Sequence, residues 1–322
     1  MTDQGRYLSG VFCTLVYIVI ASTQSVMLNI WLFGVNVFLV VGLSFVVVTL
    51  VFATVGFLRQ REAYATLFSQ WRLLVALNIV SMFNWLFYFL AVKYLEPSVA
   101  VTLTQGLGPV SMTVYLLSTR QTVSRVTCCC HLVIFMTAIA MCIYTVMFRN
   151  AYTLYSREAM IMGIIIAVLC SISITATVLI SKRFAVGKIP ASALLSLRFP
   201  LLIAVCLGIL SLQRGVVVNS TILSAILLIA LVGVSASIYF LQKGIELTTP
   251  LAVSTVLALS PLAVFVIQLF NAHTPFSSML FVMIMTIVSV LIVSIVYDGR
   301  QVGRNDVESK RDHPKKDNII GP

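Results

Sequence analysis

The fold is decided by a pattern that occurs twice: YFLAVKYLEPSVAVTLTQGLGP at residues 88–109 and YFLQKGIELTTPLAVSTVLALSP at residues 239–261. The opening Tyr-Phe-Leu matches at an offset of 151 residues, and the later Ala-Val-Thr or Ala-Val-Ser and the final Pro match at 152. One residue therefore slips in the connecting loop. This self-similarity indicates an internal repeat, a construction that many transporters share.

The surrounding chain is too apolar for a soluble domain. Of its 322 residues, 60% are hydrophobic and 10% charged, and the mean hydropathy is +1.06. A bilayer core is crossed by about 20 apolar residues. Ten such spans occur, near residues 8–30, 35–58, 72–92, 99–118, 127–147, 159–181, 190–212, 220–242, 250–271 and 276–297. The first is too long for a secretory h-region, so we interpret it as a retained helix.

The repeat offset pairs spans 3 and 4 with spans 8 and 9, which implies two halves of five spans. Because five is odd, the second half must enter the membrane upside down relative to the first. We therefore predict an all-α integral membrane protein with ten transmembrane helices in two inverted five-helix repeats, residues 1–150 and 151–298. Residues 299–322 are rich in charges and are expected to form a disordered cytoplasmic tail.

The basic residues fall mainly on one side of the predicted spans. The N-terminus, loops 2–3, 4–5, 6–7 and 8–9 and the tail carry 16 Lys and Arg, against 4 in the opposite loops. By the positive-inside rule, both termini are predicted to be cytoplasmic. The net charge of +11 then reflects orientation in a lipid bilayer and not a nucleic-acid partner. The sequence does not decide whether two copies of the chain form a homodimer.

Motifs for catalysis and for metal binding are missing from the sequence. There is no phosphate-binding G-x-x-x-x-G-K-S/T loop and no G-x-S-x-G elbow, and no carboxylate lies in the middle of a span. His131, His273 and His313 lie at a span end, in a loop and in the tail, and the seven cysteines contain no C-x-x-C pair. We therefore expect no enzyme, no metal and no cofactor.

Two segments resemble one known family. Residues 84–110, NWLFYFLAVKYLEPSVAVTLTQGLGPV, resemble the third-to-fourth helix segment of the EamA-like transporters in the drug/metabolite transporter superfamily. Residues 191–204, ASALLSLRFPLLIA, are similar to a helix of that family that opens with Leu-Arg-Phe. The matching segment in the first half reads Leu43-Ser44-Phe45, so the arginine occurs in one half only. The resemblance implies a ten-helix exporter of amino acids, related metabolites or toxic compounds in the cytoplasmic membrane.

Polar residues within the spans predict where a binding cavity lies, since they must face protein or water. Helical spacing collects them on one face of each of four spans, with Pro109 and Pro261 expected to kink spans 4 and 9. Tyr88 and Tyr239, matched by the repeat, are predicted to face each other across the pseudo-two-fold axis; otherwise they anchor an interface or pack helices. The predicted substrate-binding residues here are Asn84, Tyr88, Thr102, Gln105, Ser235, Tyr239, Gln242 and Gln268.

Arg198 is the single Lys or Arg in the interior of a predicted span and joins this predicted site. It lies eight residues into span 7, where a guanidinium costs about 3 kcal/mol on insertion scales. A substrate carboxylate or phosphate would be a suitable partner. The alternative is that Arg198 reaches the cytoplasmic interface or binds backbone carbonyls.

These observations favour a secondary transporter that exports a small polar or amphipathic metabolite by alternating access. Because no carboxylate lies in mid-membrane, facilitated diffusion or exchange is favoured over proton antiport. A nucleotide-sugar or sugar-phosphate exchanger of the same superfamily is the alternative carrier. A membrane receptor or scaffold without transport is the alternative of another class.

Overall fold

The computed structural model describes residues 3–32, 34–148, 156–213, 218–270 and 276–312. In the last helix, side chains are described as far as Ile295 and at Tyr297. Within these described ranges, ten helical spans are long and apolar enough to cross a membrane, so the prediction of a multi-pass helical protein is confirmed. Spans 1 to 10 are Gln4–Trp31, Val37–Arg59, Trp71–Tyr94, Pro97–Ser118, Arg125–Phe148, Arg157–Val186, Ala191–Leu212, Ser220–Leu247, Pro250–Gln268 and Ser278–Ile295.

A short additional helix, Arg61–Ser69, connects spans 2 and 3. Its Tyr64 and Leu67 are buried, whereas most of its other side chains are exposed or partly exposed. The Tyr64 hydroxyl lies 2.9 Å from the Ser196 hydroxyl of span 7. This amphipathic helix therefore connects the end of span 2 to span 7.

Four of the ten spans are not continuous α-helices. Span 7 is interrupted between Ser196 and Pro200, and span 9 between Leu257 and Ser260, whereas spans 4 and 8 contain π-helical turns at Thr102–Gly106 and Ile229–Ala236. Pro109, Pro200 and Pro261 lie in the first turn of the segments that follow the interruptions in spans 4, 7 and 9. Proline fits there because the first turn of a helix has no intrahelical acceptor for its missing N–H.

Spans 4 and 9 pack side by side in opposite directions. At one end, the backbone N–H of Ser98 donates to Oε1 of Gln268 at 3.0 Å. In the middle, a Cβ added to Gly106 would lie 3.3 Å from Cγ of Pro261. The glycine allows the two interrupted helices to approach closely, as small residues do in membrane bundles.

Spans 1 and 8 form a second antiparallel pair. A Cβ added to Gly10, near the start of span 1, would lie 2.5 Å from Cγ2 of Thr248, just beyond the end of span 8. A Cβ on Gly244 would overlap the Oγ1 of Thr14. We refer to the end of the bundle where span 1 begins as the N-terminal face.

The last helix extends beyond span 10, from Ser278 to Asp312. Residues 299–312 are thus helical where a disordered tail was expected, and residues 313–322 lie outside the described part of the chain. The helix ends two residues before a proline, which disfavours helical backbone in the residue before it.

Candidate functional site

A small cavity lined by both polar and apolar side chains lies where six spans meet. Its walls come from spans 1, 3, 4, 6, 8 and 9, and its volume is about 20 Å³. That is room for about one water molecule. The polar and aromatic residues of the wall are Tyr17, Gln24, Asn84, Trp85, Tyr88, Gln105 and Thr177. This set, the central cavity, is the candidate binding site.

Four polar atoms of this wall have no hydrogen-bond partner within the described part of the chain. They are Nε2 of Gln24, Nε1 of Trp85, Oε1 of Gln105 and Oγ1 of Thr177. Buried polar groups are nearly always hydrogen-bonded, and each unsatisfied one costs about 1–3 kcal/mol. Of the twelve buried, unpartnered side-chain atoms in the described part of the chain, these four belong to residues that line this one cavity.

Hydrogen bonds fix the remaining polar side chains of the wall. The hydroxyls of Tyr88 and Ser25 are 2.5 Å apart, which ties span 3 to span 1. The Tyr17 hydroxyl accepts a long hydrogen bond of 3.5 Å from Nε2 of Gln105. The cavity is therefore lined by side chains that are oriented before any ligand arrives.

Arg198 lies in the interruption of span 7, where residues 197–199 are not helical. Its side chain is 2% exposed, with Nε donating to Oγ of Ser81 at 2.9 Å and Nη1 to Oε1 of Gln242 at 3.3 Å. The guanidinium carbon also lies 5.4 Å from the ring centroid of Phe199. These contacts use two of its five N–H donors, and it forms no salt bridge with any described carboxylate.

Span 3 supports the interruption of span 7. The Asn78 side chain donates from Nδ2 to the carbonyl of Leu197 at 2.8 Å and accepts from the N–H of Leu201 at 3.4 Å. Non-helical backbone at membrane depth requires such partners. Ser81 and Asn84 follow on the same helix, three residues apart, so Arg198 lies about one helical turn from the central cavity. The arginine is thus placed beside the cavity, on its N-terminal-face side.

The structure brings together only part of the site predicted from the sequence. Asn84, Tyr88 and Gln105 line the central cavity, while Gln242 contacts Arg198. Thr102 instead donates to the Ser98 carbonyl of its own helix at 2.6 Å.

Gln268 and Ser235, also predicted to bind substrate, lie outside this cavity. Gln268 donates to Oε1 of Glu96 at 2.5 Å and accepts from the backbone of Ser98, which makes it a staple between spans 9 and 4. Ser235 is buried within the π-helical turn of span 8 but does not line the cavity.

The matched tyrosines have different surroundings. Tyr88 is buried in the cavity wall, whereas Tyr239 is 39% exposed and stacks on Phe52 with ring centroids 6.4 Å apart. Tyr239 is thus placed on the outside of the bundle, and the two rings do not face each other across the cavity. The physical reason is that span 8 turns this side chain towards span 2 and the lipid.

Sequence reasoning missed four residues of the wall: Tyr17, Gln24, Trp85 and Thr177. Gln24 belongs to a polar cluster near the end of span 1, which was a usable signal. The positions of Tyr17, Trp85 and Thr177 depend on how the helices are rotated, which their own sequence does not fix.

The described residues contain no group of three His, Cys, Asp or Glu that could hold a metal ion. Of the three histidines, His131 is buried with its Nδ1 2.7 Å from the hydroxyl of Thr113. His273 and His313 lie outside the described residues.

Comparisons with known proteins show the fold and nothing finer. Twenty chains of solved structure match this one. One of them, described only as the crystal structure of a protein, superposes with a TM-score of 0.66 at 18% sequence identity, over 90% of this chain and 96% of its own. No protein-family model matches the sequence, and no curated protein matches it.

Proposed function

We propose that this chain is a secondary transporter that moves a small polar or amphipathic metabolite through the central cavity by alternating access. The observation that carries the proposal is the cluster of four unpartnered polar atoms beside a buried arginine that has no carboxylate partner among the described residues. Spans 4, 8 and 9 of the cavity wall and span 7, which carries Arg198, are interrupted or π-helical, as helices at transporter binding sites commonly are.

The proposed inverted repeat is supported by contacts between matched positions. Phe45 and Phe199 occupy the same place in the segments Leu43-Ser44-Phe45 and Leu197-Arg198-Phe199, and their ring centroids are 4.8 Å apart. The antiparallel pairing of spans 4 and 9, also matched by the repeat, is in keeping with a two-fold axis in the membrane plane. We assign residues 1–150 and 151–298 to the two halves.

The size of the cavity implies a conformational change. A volume of about 20 Å³ is too small for any metabolite, so this conformation corresponds to a closed state. Opening requires spans to move apart, and the interruptions near Arg198 and Pro261 are positions where a helix can bend. In the orientation given by the positive-inside rule, Arg198 lies on the cytoplasmic side of the cavity.

The chemistry of the wall favours a substrate that carries an acceptor group such as a carboxylate. Among the described residues, Gln24 and Trp85 offer unpartnered N–H donors and Thr177 a hydroxyl, and the described hydrogen bonds of Arg198 use two of its five N–H donors. Gln105 offers an unpartnered acceptor, which suits an amino group. An amino-acid-like solute fits this set, in keeping with the resemblance to EamA-like exporters.

A second candidate is a sugar-phosphate or nucleotide-sugar exchanger. The observation that favours it is the buried Arg198, which has no carboxylate partner among the described residues, because arginine binds phosphate bidentately. The two candidates differ in the anionic group that Arg198 would bind.

Counterflow in proteoliposomes tests the proposal. Vesicles that hold purified protein and an unlabelled amino-acid mixture should take up labelled amino acid transiently, and Tyr88→Phe should change the apparent affinity while Tyr239→Phe should not. Competition by nucleotide sugars but not by amino acids would favour the second candidate. Absence of counterflow with amino acids, drugs, sugar phosphates and nucleotide sugars would contradict transport and favour a receptor or scaffold.

A further inference from the structure

A groove runs along the bilayer-facing side of the bundle between spans 1 and 8. It has a volume of about 300 Å³ and is lined mainly by apolar side chains, among them Val19, Met27 and Val232, which are exposed. A second groove of about 480 Å³ shares Trp31 with the first and continues towards the face opposite the N-terminus. Together they form an apolar path, the lateral groove, along the seam between the two spans.

Gln24 belongs to the walls of both the lateral groove and the central cavity. It is 6% exposed, and its Nε2 has no partner among the described residues. On the span 8 side, Gln24 packs against Gly233, where an added Cβ would lie 3.0 Å from both Cγ and Cδ of the glutamine. The Gln24 side chain therefore lies between the cavity and the groove, in contact with Gly233.

The backbone opposite Gln24 is irregular. Gly233 lies within the π-helical turn Ile229–Ala236 of span 8. π-Helical turns are rare in proteins, and those that do occur are frequently found at functional sites. The hydrogen-bond register of span 8 therefore changes where it passes Gln24, which is a place where this span can move away from span 1.

We propose that Gln24 is the gate of a lateral passage through which the apolar part of an amphipathic substrate moves between the central cavity and the bilayer. The inference rests on the proposed transport function and narrows its substrate class. The polar head of such a substrate would bind in the cavity, at the unpartnered donors and beside Arg198, while its apolar part would extend past Gln24 into the lateral groove. The Gln24 amide would donate a hydrogen bond to the polar head of the substrate. When the Gln24 side chain moves away from the boundary, the passage between cavity and groove would open.

Cysteine accessibility tests the gate without relying on transport. In a variant whose seven native cysteines are replaced by serine or alanine, Ala21→Cys places a thiol in the cavity and Met27→Cys places one in the groove. We expect a lipophilic maleimide to label Met27→Cys rapidly and Ala21→Cys slowly. Adding Gln24→Ala to the Ala21→Cys variant should raise its labelling rate about tenfold or more. The passage between cavity and groove, which is otherwise open only in a minor state, would then stay open. Gln24→Leu, which keeps the bulk of the side chain, should leave that rate unchanged.

A charged, membrane-impermeant maleimide is the control. Its rate at Ala21→Cys should not change in Gln24→Ala; an equal rise for both reagents would show an aqueous route or a loosened fold and would overturn the proposal. A second outcome would also overturn the proposal: Met27→Cys is labelled, but Gln24→Ala leaves the labelling rate of Ala21→Cys unchanged. The groove would then be a lipid site only. Counterflow failure together with gated labelling would reject the transport function and keep the passage.

A second measurement leaves the native cysteines in place. Of the three tryptophans, only Trp85 lines the cavity, so replacing Trp31 and Trp71 by phenylalanine isolates its fluorescence. Brominated lipids should quench Trp85 more strongly in Gln24→Ala than in Gln24→Leu. Equal quenching in the two variants would count against the gate.

Discussion

The Nε of Arg198 donates a hydrogen bond to the Oγ of Ser81 at 2.9 Å, and this contact ties the interruption of span 7 to span 3. Three residues further along span 3, Asn84 lines the central cavity. A single helix thus holds the buried arginine and forms the wall of the proposed binding site. A movement of span 3 would therefore change the cavity and the surroundings of the arginine together.

Arg198→Gln should lower transport of an anionic or zwitterionic substrate by about tenfold or more, since a hydrogen bond to a charged group contributes about 1.5–3 kcal/mol. The free energy of unfolding should stay equal or rise, because burying a guanidinium in a membrane costs about 2.5–3.5 kcal/mol on insertion scales. Counterflow and thermal unfolding in detergent measure the two effects. The matched control is Arg183→Gln, at an exposed position near the end of span 6. Unchanged transport by normally expressed Arg198→Gln would remove the arginine from the site.

Thr177→Val should raise the free energy of unfolding by about 1–3 kcal/mol, because it removes a buried hydroxyl that has no partner in the described structure and keeps the shape of the side chain. The same change should weaken substrate binding. In Thr104, by contrast, the hydroxyl donates to the Ala100 carbonyl at 2.8 Å, so Thr104→Val should bring no such gain. Chemical unfolding and a ligand-induced thermal shift check both statements. A Thr177→Val protein that is less stable than Thr104→Val would contradict the interpretation of this hydroxyl.

Gly244→Ala should lower the free energy of unfolding by about 1–3 kcal/mol, because its new methyl group would overlap the Thr14 hydroxyl and push spans 1 and 8 apart. Gly208→Ala is the matched control, since an added Cβ there meets no atom within 4 Å. Alanine at that helical position should add up to about 1 kcal/mol through its helix propensity. If the two variants unfold at the same temperature, the close packing of spans 1 and 8 is absent.

Gln268→Leu should lower the free energy of unfolding by about 1–3 kcal/mol, because Glu96 and the Ser98 backbone lose their hydrogen bonds to the side-chain amide. The apparent affinity for substrate should not change, since Gln268 lies outside the central cavity. Gln105→Leu is expected to show the reverse, with weaker binding and no loss of stability. If Gln268→Leu instead lowers the apparent affinity for substrate and leaves the free energy of unfolding unchanged, Gln268 has the binding role that the sequence analysis predicts.

The spans could be predicted well and the site only in part, for one physical reason. Long apolar runs are specified locally, because about 20 residues must cross the hydrocarbon whatever their neighbours do. Tyr239 and Gln268 show the limit of such reasoning, since both carry suitable groups at suitable heights in their spans. The rotation of span 8 turns Tyr239 towards Phe52, and the end of span 4 binds Gln268. The spacing along one helix does not contain this information.

The sequence alone determined that the chain contains ten apolar spans, that Pro109 and Pro261 stand at interruptions of two of them, and that one arginine lies in the interior of a span. Hydropathy and proline chemistry act within a single segment, so they can be recognised without the rest of the molecule. Only the tertiary structure decided that Gln24, Trp85, Gln105 and Thr177 meet at one cavity with unpartnered atoms. Hydrogen-bond satisfaction depends on which side chains from distant spans come within reach, and packing alone decides that.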